Sequence, residues 1–133
     1  MKLKIAVALC SSLILIVFSS FPQAPDPKPL TLPLECAGGD CDLLRGAPQT
    51  GGMRSGFVRL KPGEAVGWHT TGQHEEALVV LHGTGEAQIE GRASLPVASE
   101  MLVYIPPATR HNVKNTGDTI LEYVYVVAPI ATK

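Results

Sequence analysis

Aromatic residues are scarce in this chain: three Phe, three Tyr and one Trp make up 5% of 133 residues. Basic residues are not in excess either, with 11 Lys and Arg against 12 Asp and Glu. Without the first 24 residues, which hold Lys2 and Lys4, the balance is 9 basic against 12 acidic, a net charge of −3. Binding nucleic acid calls for a basic stripe and stacking aromatics, so this composition argues against nucleic acid as a partner. Helical periodicity is also missing, and no internal repeat is visible. At this length there is room for one domain.

A long apolar run occurs once, at the start. MKLKIAVALCSSLILIVFSSFPQA carries two lysines and then an apolar stretch from Ile5 to about Phe21. That is the form of a secretory signal peptide, with Ala24 as the small residue at its end. The run is also near the lower limit for spanning a bilayer, so an uncleaved N-terminal anchor is the alternative. Either reading puts the rest of the chain outside the cytoplasm, secreted or periplasmic, or held at the membrane by this segment alone. Cys10 reads as an apolar residue of the signal.

Export gives the other two cysteines a meaning. Cys36 and Cys41 bracket AGGD, a short glycine-containing loop, and an oxidising compartment permits a disulfide between them. Four intervening residues and no nearby histidine make a pair of metal or redox thiols the weaker reading. The segment PQAPDPKPLTLP holds five prolines, which deny a helix or a central strand. Residues 25–33 therefore read as an extended spacer, and residues 34–133 as the folded domain.

Within that domain, Leu32–Glu35 suggests a short edge strand and Leu43–Arg45 another. From Met53 onward short strands alternate with turns. SGFVRL stops at Pro62-Gly63, and EAVGWH follows. EEALVVLH stops at Gly83 and GEAQIE at Gly91. RASLPV is interrupted by Pro96 and belongs at an edge or a bulge. MLVYI runs to Pro106-Pro107, RHNVKN to Gly117-Asp118, and TILEYVYVV to Pro129. Short strands with regular turns predict an all-β fold, a small antiparallel barrel or sandwich.

The chemistry concentrates between Gly63 and Gly85, in GEAVGWHTTGQHEEALVVLHGTG. This stretch holds three of the four histidines and two adjacent glutamates, and the fourth histidine is His111. Imidazole and carboxylate suit a borderline or hard divalent metal. His74 and Glu76 are two apart and share a strand face. His69 precedes the loop TTGQ and can face the same way from the previous strand. His82 lies six residues beyond Glu76, roughly 20 Å along an extended strand, and is excluded as a ligand.

The stretch resembles the first motif of the cupin superfamily, G-x5-H-x-H-x3-4-E-x6-G. Gly63 is followed after five residues by His69, and Glu76 after six by Gly83. The second motif, G-x5-P-x-G-x2-H-x3-N, is matched by Pro106, His111 and Asn115. The resemblance covers roughly Ser55 to Pro129. It implies a small single-domain cupin, a double-stranded β-helix or jelly-roll barrel, with a mononuclear divalent metal inside. Iron, manganese, nickel, copper and zinc all occur in that superfamily and are not distinguished. The choice of Glu76 over Glu75 rests on family spacing, since both faces of EEALVVLH are apolar.

There are departures. The family's second histidine falls at Thr71, and the glycines of the second motif fall at Glu100 and Ala108. Either the metal is lost and His74 is a loop residue in water, or His74 replaces the missing histidine; the second reading is favoured and gives the ligand set His69, His74, Glu76 and His111. Glu76 is either a ligand or the catalytic base that takes a substrate proton. Asn115 reads as a cap on the turn at Thr116-Gly117. Trp68 alternates with His69 and should point away from the site, and Arg110 points away from His111. Tyr104, Tyr123 and Tyr125 read as core, with one able to line a pocket. Met53, Phe57 and Arg59 share strand parity, so one of them can line the cavity.

Two functions suit these residues. One is a metal-dependent enzyme of dioxygenase, isomerase or lyase type acting on a small organic molecule. The other is a non-catalytic module that binds a small molecule or a metal, which Thr71 favours. The superfamily also implies a possible homodimer.

Overall fold

A computed structural model describes residues 26–37 and 39–130. Residues 1–24, expected to be a signal or anchor, lie outside the described residues. Among the described residues nine strands form: β1 (Cys41–Arg45), β2 (Arg54–Leu60), β3 (His69–Thr70), β4 (His74–His82), β5 (Thr84–Ile89), β6 (Leu95–Ala98), β7 (Leu102–Ile105), β8 (Arg110–Asn115) and β9 (Leu121–Pro129). Among the described residues there is no helix, and so none long and apolar enough to cross a membrane. The strands make two antiparallel sheets. One has the order β1-β2-β9-β4-β7 and the other β3-β8-β5-β6. The all-β expectation holds, as the jelly-roll arrangement of a double-stranded β-helix.

The core lies between the sheets. Leu78, Ile105 and Leu121 of the first sheet and Ala87, Val97 and Val113 of the second are fully or almost fully buried. Residues directly opposite one another in antiparallel strands share a face. The first sheet therefore presents inward rows that run across its strands. One row is Arg45, Arg54, Val127, Glu76 and Ile105. The next is Asp42, Gly56, Tyr125, Leu78 and Val103, and a third holds Val58, Tyr123 and Val80. A register shift between Asp42 and Leu44 is what lets both Asp42 and Arg45 face inward. Without it, residues three apart would point opposite ways.

Several sequence expectations are corrected. Leu32–Glu35 forms no strand and lies exposed. EAVGWH is a strand only at its end, where His69 and Thr70 join β8, with an isolated bridge from Ala65 to Lys114. Gly67 at φ 103° takes the chain out of extended geometry between them. Tyr104 is 53% exposed rather than core. Phe57 and Arg59 face away from the cavity: Arg59 Nε pairs with Glu122 at 2.7 Å on the outer face, while Arg54 and Val58, of the other parity on β2, border the cavity. β6 is an edge strand, one of the two placements Pro96 allows: Pro96 stands opposite Glu86, and among the described residues nothing pairs beyond it.

Two other expectations are met. Cys36 and Cys41 form a disulfide, with Cα atoms 5.6 Å apart. Asn115 is fully buried and ties three segments: its Nδ2 donates to the carbonyls of Leu60 (2.8 Å) and Thr119 (2.7 Å), and its Oδ1 accepts from the Gly117 N–H (2.9 Å).

Candidate metal centre

Three side chains meet where the sheets face each other. His69 and His111 are direct partners on β3 and β8 of one sheet, and Glu76 points in from β4 of the other. One ligand atom from each lies within 4.8 Å of the others, so the group can hold a metal ion. The two imidazole centroids are 4.1 Å apart with the rings tilted by 59°. Nε2 of His111 stands 3.2 Å from Oε2 of Glu76.

Each histidine is oriented from behind. Nδ1 of His69 lies 2.8 Å from the Gly67 carbonyl, and Nδ1 of His111 lies 3.3 Å from the Thr109 carbonyl. A carbonyl only accepts, so Nδ1 carries the proton in both rings and Nε2 presents a lone pair to the centre. His111 Nε2 is buried and has no hydrogen-bond partner among the described residues, because its short approach to Glu76 lacks hydrogen-bond direction. An unsatisfied buried nitrogen is costly. Coordination to a cation would relieve it and would balance the buried Glu76 carboxylate. The donor set thus fits a divalent metal. Without a metal, burial pulls the His111 pKa down, but the Glu76 carboxylate and the Thr109 carbonyl outweigh that, and the net shift is upward.

The neighbouring glutamate is used elsewhere. Glu75 faces outward and accepts a hydrogen bond from Tyr104 Oη at 3.1 Å, which also raises the Tyr104 pKa. Glu76 is therefore the inward member of the pair, at 8% exposure.

His74 is not in the group. It shares the face of Glu76 but opens β4 one step back along the strand, roughly 6–7 Å away. The expected four-residue set is thus three in the structure. Thr71 does not wait for a ligand either. Its hydroxyl donates to the Pro106 carbonyl (2.9 Å) and accepts from the Thr109 N–H (3.0 Å), fastening the loop before β4 to the turn before His111. The two non-glycine residues with positive φ among those described are Glu100 (66°) and Ala108 (54°). These are the positions where the motif has glycine. The backbone keeps the glycine conformation although the residue has changed.

A cavity of about 690 Å³ opens beside the three residues. His69, Thr71 and Glu76 stand in its wall, with Val58, Val113, Tyr123 and Tyr125. Trp68, expected to point away, does border it, and the Arg110 guanidinium lies 5.1 Å from the Trp68 ring centre. Arg110 itself faces outward as expected, paired with Glu90 at 2.6 Å. His82 is exposed and remote from the group, as the strand length requires. Gly56 makes room for Tyr125: a Cβ on it would run into the Tyr125 ring. The phenol of Tyr125 donates to Asp42 at 3.3 Å, and burial together with that carboxylate raises its pKa. Reading the sequence missed the contribution of β1 and the start of β2 to this cavity, where Asp42, Leu44, Arg45 and Arg54 form part of the wall.

Comparison with known proteins agrees with this geometry. The sequence pattern of the family described as "Cupin domain" matches residues 56–127, more than half of the chain. Polyketide synthase CurC of Streptomyces cyaneus is 32% identical over 115 residues, covering 84% of this chain and 73% of that protein. Protein SchB of Streptomyces halstedii is 31% identical over 99 residues, covering 72% of this chain and 70% of that one. Among solved structures, an uncharacterized conserved protein with a double-stranded β-helix domain from Klebsiella pneumoniae superposes with a TM-score of 0.64. The two are 16% identical, with 77% of this chain and 91% of that one covered. With two motifs, a jelly-roll fold and a converging His-His-Glu group, the chain belongs to the cupin domain family.

Proposed function

We propose that this protein is an exported cupin that binds one divalent transition metal through His69, Glu76 and His111 and uses it on a small organic molecule held in the adjoining cavity. The observation that carries the reading is the His111 Nε2 atom: buried, aimed at a carboxylate, and without a hydrogen-bond partner. Two neutral imidazoles and one carboxylate leave a divalent ion one positive charge and several open positions. This donor set suits iron(II) in oxygen-activating sites, and manganese, nickel, copper and zinc are compatible with it. Such a metal supplies Lewis-acid or oxygen chemistry when bound. The chain's own part is to hold the reactant against apolar walls and to exclude water. The carboxylate oxygen of Glu76 not engaged by a metal is placed to accept a proton.

CurC is named a polyketide synthase. Polyketides carry carbonyls on alternate carbons, and a 1,3-dicarbonyl enol is a bidentate oxygen ligand. That substrate class fits both the open positions and the apolar walls. We assign residues 1–24 to an export signal or anchor, residues 25–33 to a spacer and residues 34–133 to the barrel domain. The disulfide at Cys36–Cys41 is consistent with an oxidising compartment, periplasmic or extracellular.

A second reading, a non-catalytic binding module, is favoured by Thr71, whose hydroxyl is fully occupied in fastening loops. Oxygen uptake separates the two. Protein loaded anaerobically with iron(II), and separately with manganese(II), is mixed with a panel of 1,3-dicarbonyl and phenolic compounds under air. Metal-dependent oxygen consumption or a new product supports the enzyme. Ligand-induced change at the metal without turnover supports the binding module.

A further inference from the structure

Arg45 and Arg54 are partners across the β1–β2 pair, so their side chains leave the same face from neighbouring strands. Like charges in that relation repel. Neither is in an ion pair among the described residues. Both border the cavity, although both are exposed on its open side. Arg45 faces inward only because the register shift at Leu43 turns it there, and a bulge that re-aims a side chain is a feature found beside binding sites. Asp42, a carboxylate of the same wall, sits in the next row and accepts the Tyr125 hydroxyl.

The row fixes the distance to the metal group. Arg54 and Glu76 are both opposite Val127, one strand away on either side. Two strand spacings separate their Cα atoms by about 10 Å, and Arg45 lies one strand further, at about 14 Å. Between the two ends the wall is apolar: Val127 in the row itself, and Val58, Val113 and Trp68 around it.

We propose that Arg45 and Arg54 are an anion clamp for the substrate, so that the molecule taken by this cavity is an apolar acid with a carboxylate at the end remote from the metal. Two planar guanidiniums matched to one carboxylate give paired N–H···O bonds, stronger than neutral hydrogen bonds. The clamp rests on the reading of this cavity as a ligand site, but its own test does not need a metal.

The test uses full-length protein, metal-free and zinc-loaded, titrated with 2-naphthoate and with its uncharged isostere 2-naphthamide. Trp68 is the one tryptophan in the chain, and its indole N–H gives a single NMR signal at the cavity. In metal-free protein, 2-naphthoate binds about tenfold or more tightly than 2-naphthamide, and the gap narrows as salt is raised. In R45Q/R54Q the gap closes while 2-naphthamide binding is unchanged. Equal binding of the two probes, a gap that survives in the double variant, or no response of Trp68 to either probe overturns the clamp. Metal content measured beside it keeps the two readings apart. A closing gap in protein that takes no metal overturns the metal reading alone, and metal uptake without a gap overturns the clamp alone.

Discussion

His111 and Glu76 face each other from opposite sheets at 3.2 Å, without the direction of a hydrogen bond. That relationship gives the protein opposite responses to pH with and without a metal. The His111 pKa is raised in the folded state, above an unfolded value of about 6.5. A raised imidazole contributes stability that is complete below the unfolded value and is lost as pH rises through the folded one. Metal binding needs the neutral imidazole, so its contribution grows in the same direction as the proton's fades. Thermal melting at about pH 5.5 and pH 8 is expected to show this group favouring the acid side in the presence of a chelator. With saturating zinc the stabilisation by metal is larger at pH 8. A metal increment independent of pH contradicts this account of His111.

Thr71 stands where the motif has a histidine, and its hydroxyl satisfies two backbone groups of the turn that carries His111. Thr71→Val keeps the shape and removes both bonds. The part-buried Pro106 carbonyl and Thr109 N–H then lack their partner, at a cost of about 1 kcal/mol. Urea unfolding measures it. A change within about 0.5 kcal/mol would show that water replaces the hydroxyl.

Ala108 and Glu100 hold left-handed φ values that a side chain disfavours by about 1–2 kcal/mol, set against the greater unfolded-state entropy of glycine. Ala108→Gly and Glu100→Gly are therefore each expected to be neutral or stabilising by up to about 1 kcal/mol, unlike most substitutions to glycine. Destabilisation of either by more than about 0.5 kcal/mol in urea contradicts the backbone geometry.

Gly56 does the reverse. Its φ is ordinary, and what it supplies is space for the Tyr125 ring. Gly56→Ala drives the ring from its place on the cavity floor and costs about 1–3 kcal/mol by overpacking. Urea unfolding gives the cost, and a change in the Tyr125 ring signals in NMR locates it. Unchanged stability would mean that the ring moves freely.

Much of this architecture is legible in the sequence because turns and alternation are local. Pro62-Gly63, Gly83, Gly91 and Gly117-Asp118 mark strand ends without reference to the rest of the chain. The motif spacing likewise brings His69, Glu76 and His111 together. The parts that are not legible depend on contacts between distant strands. Both faces of EEALVVLH are apolar, so only the packing of β4 against β7 and β9 shows that Glu76 is inward and Glu75 outward. The bulge at Leu43 has no local signature, and it alone decides that Arg45 joins Arg54 at the cavity. His74 has the right parity with Glu76, but parity says nothing of position along the strand, and the site is centred a step further on.

The most direct test of the central claim is metal content by elemental mass spectrometry, on wild type and on His111→Ala, Glu76→Gln and His74→Ala, after incubation with iron(II) or zinc(II) and desalting. The three-residue centre predicts about one metal per chain in the wild type and in His74→Ala, and substoichiometric metal in the other two. Loss of metal in His74→Ala while the fold is retained would contradict the three-residue set, and no metal in the folded wild type would contradict the metal centre itself.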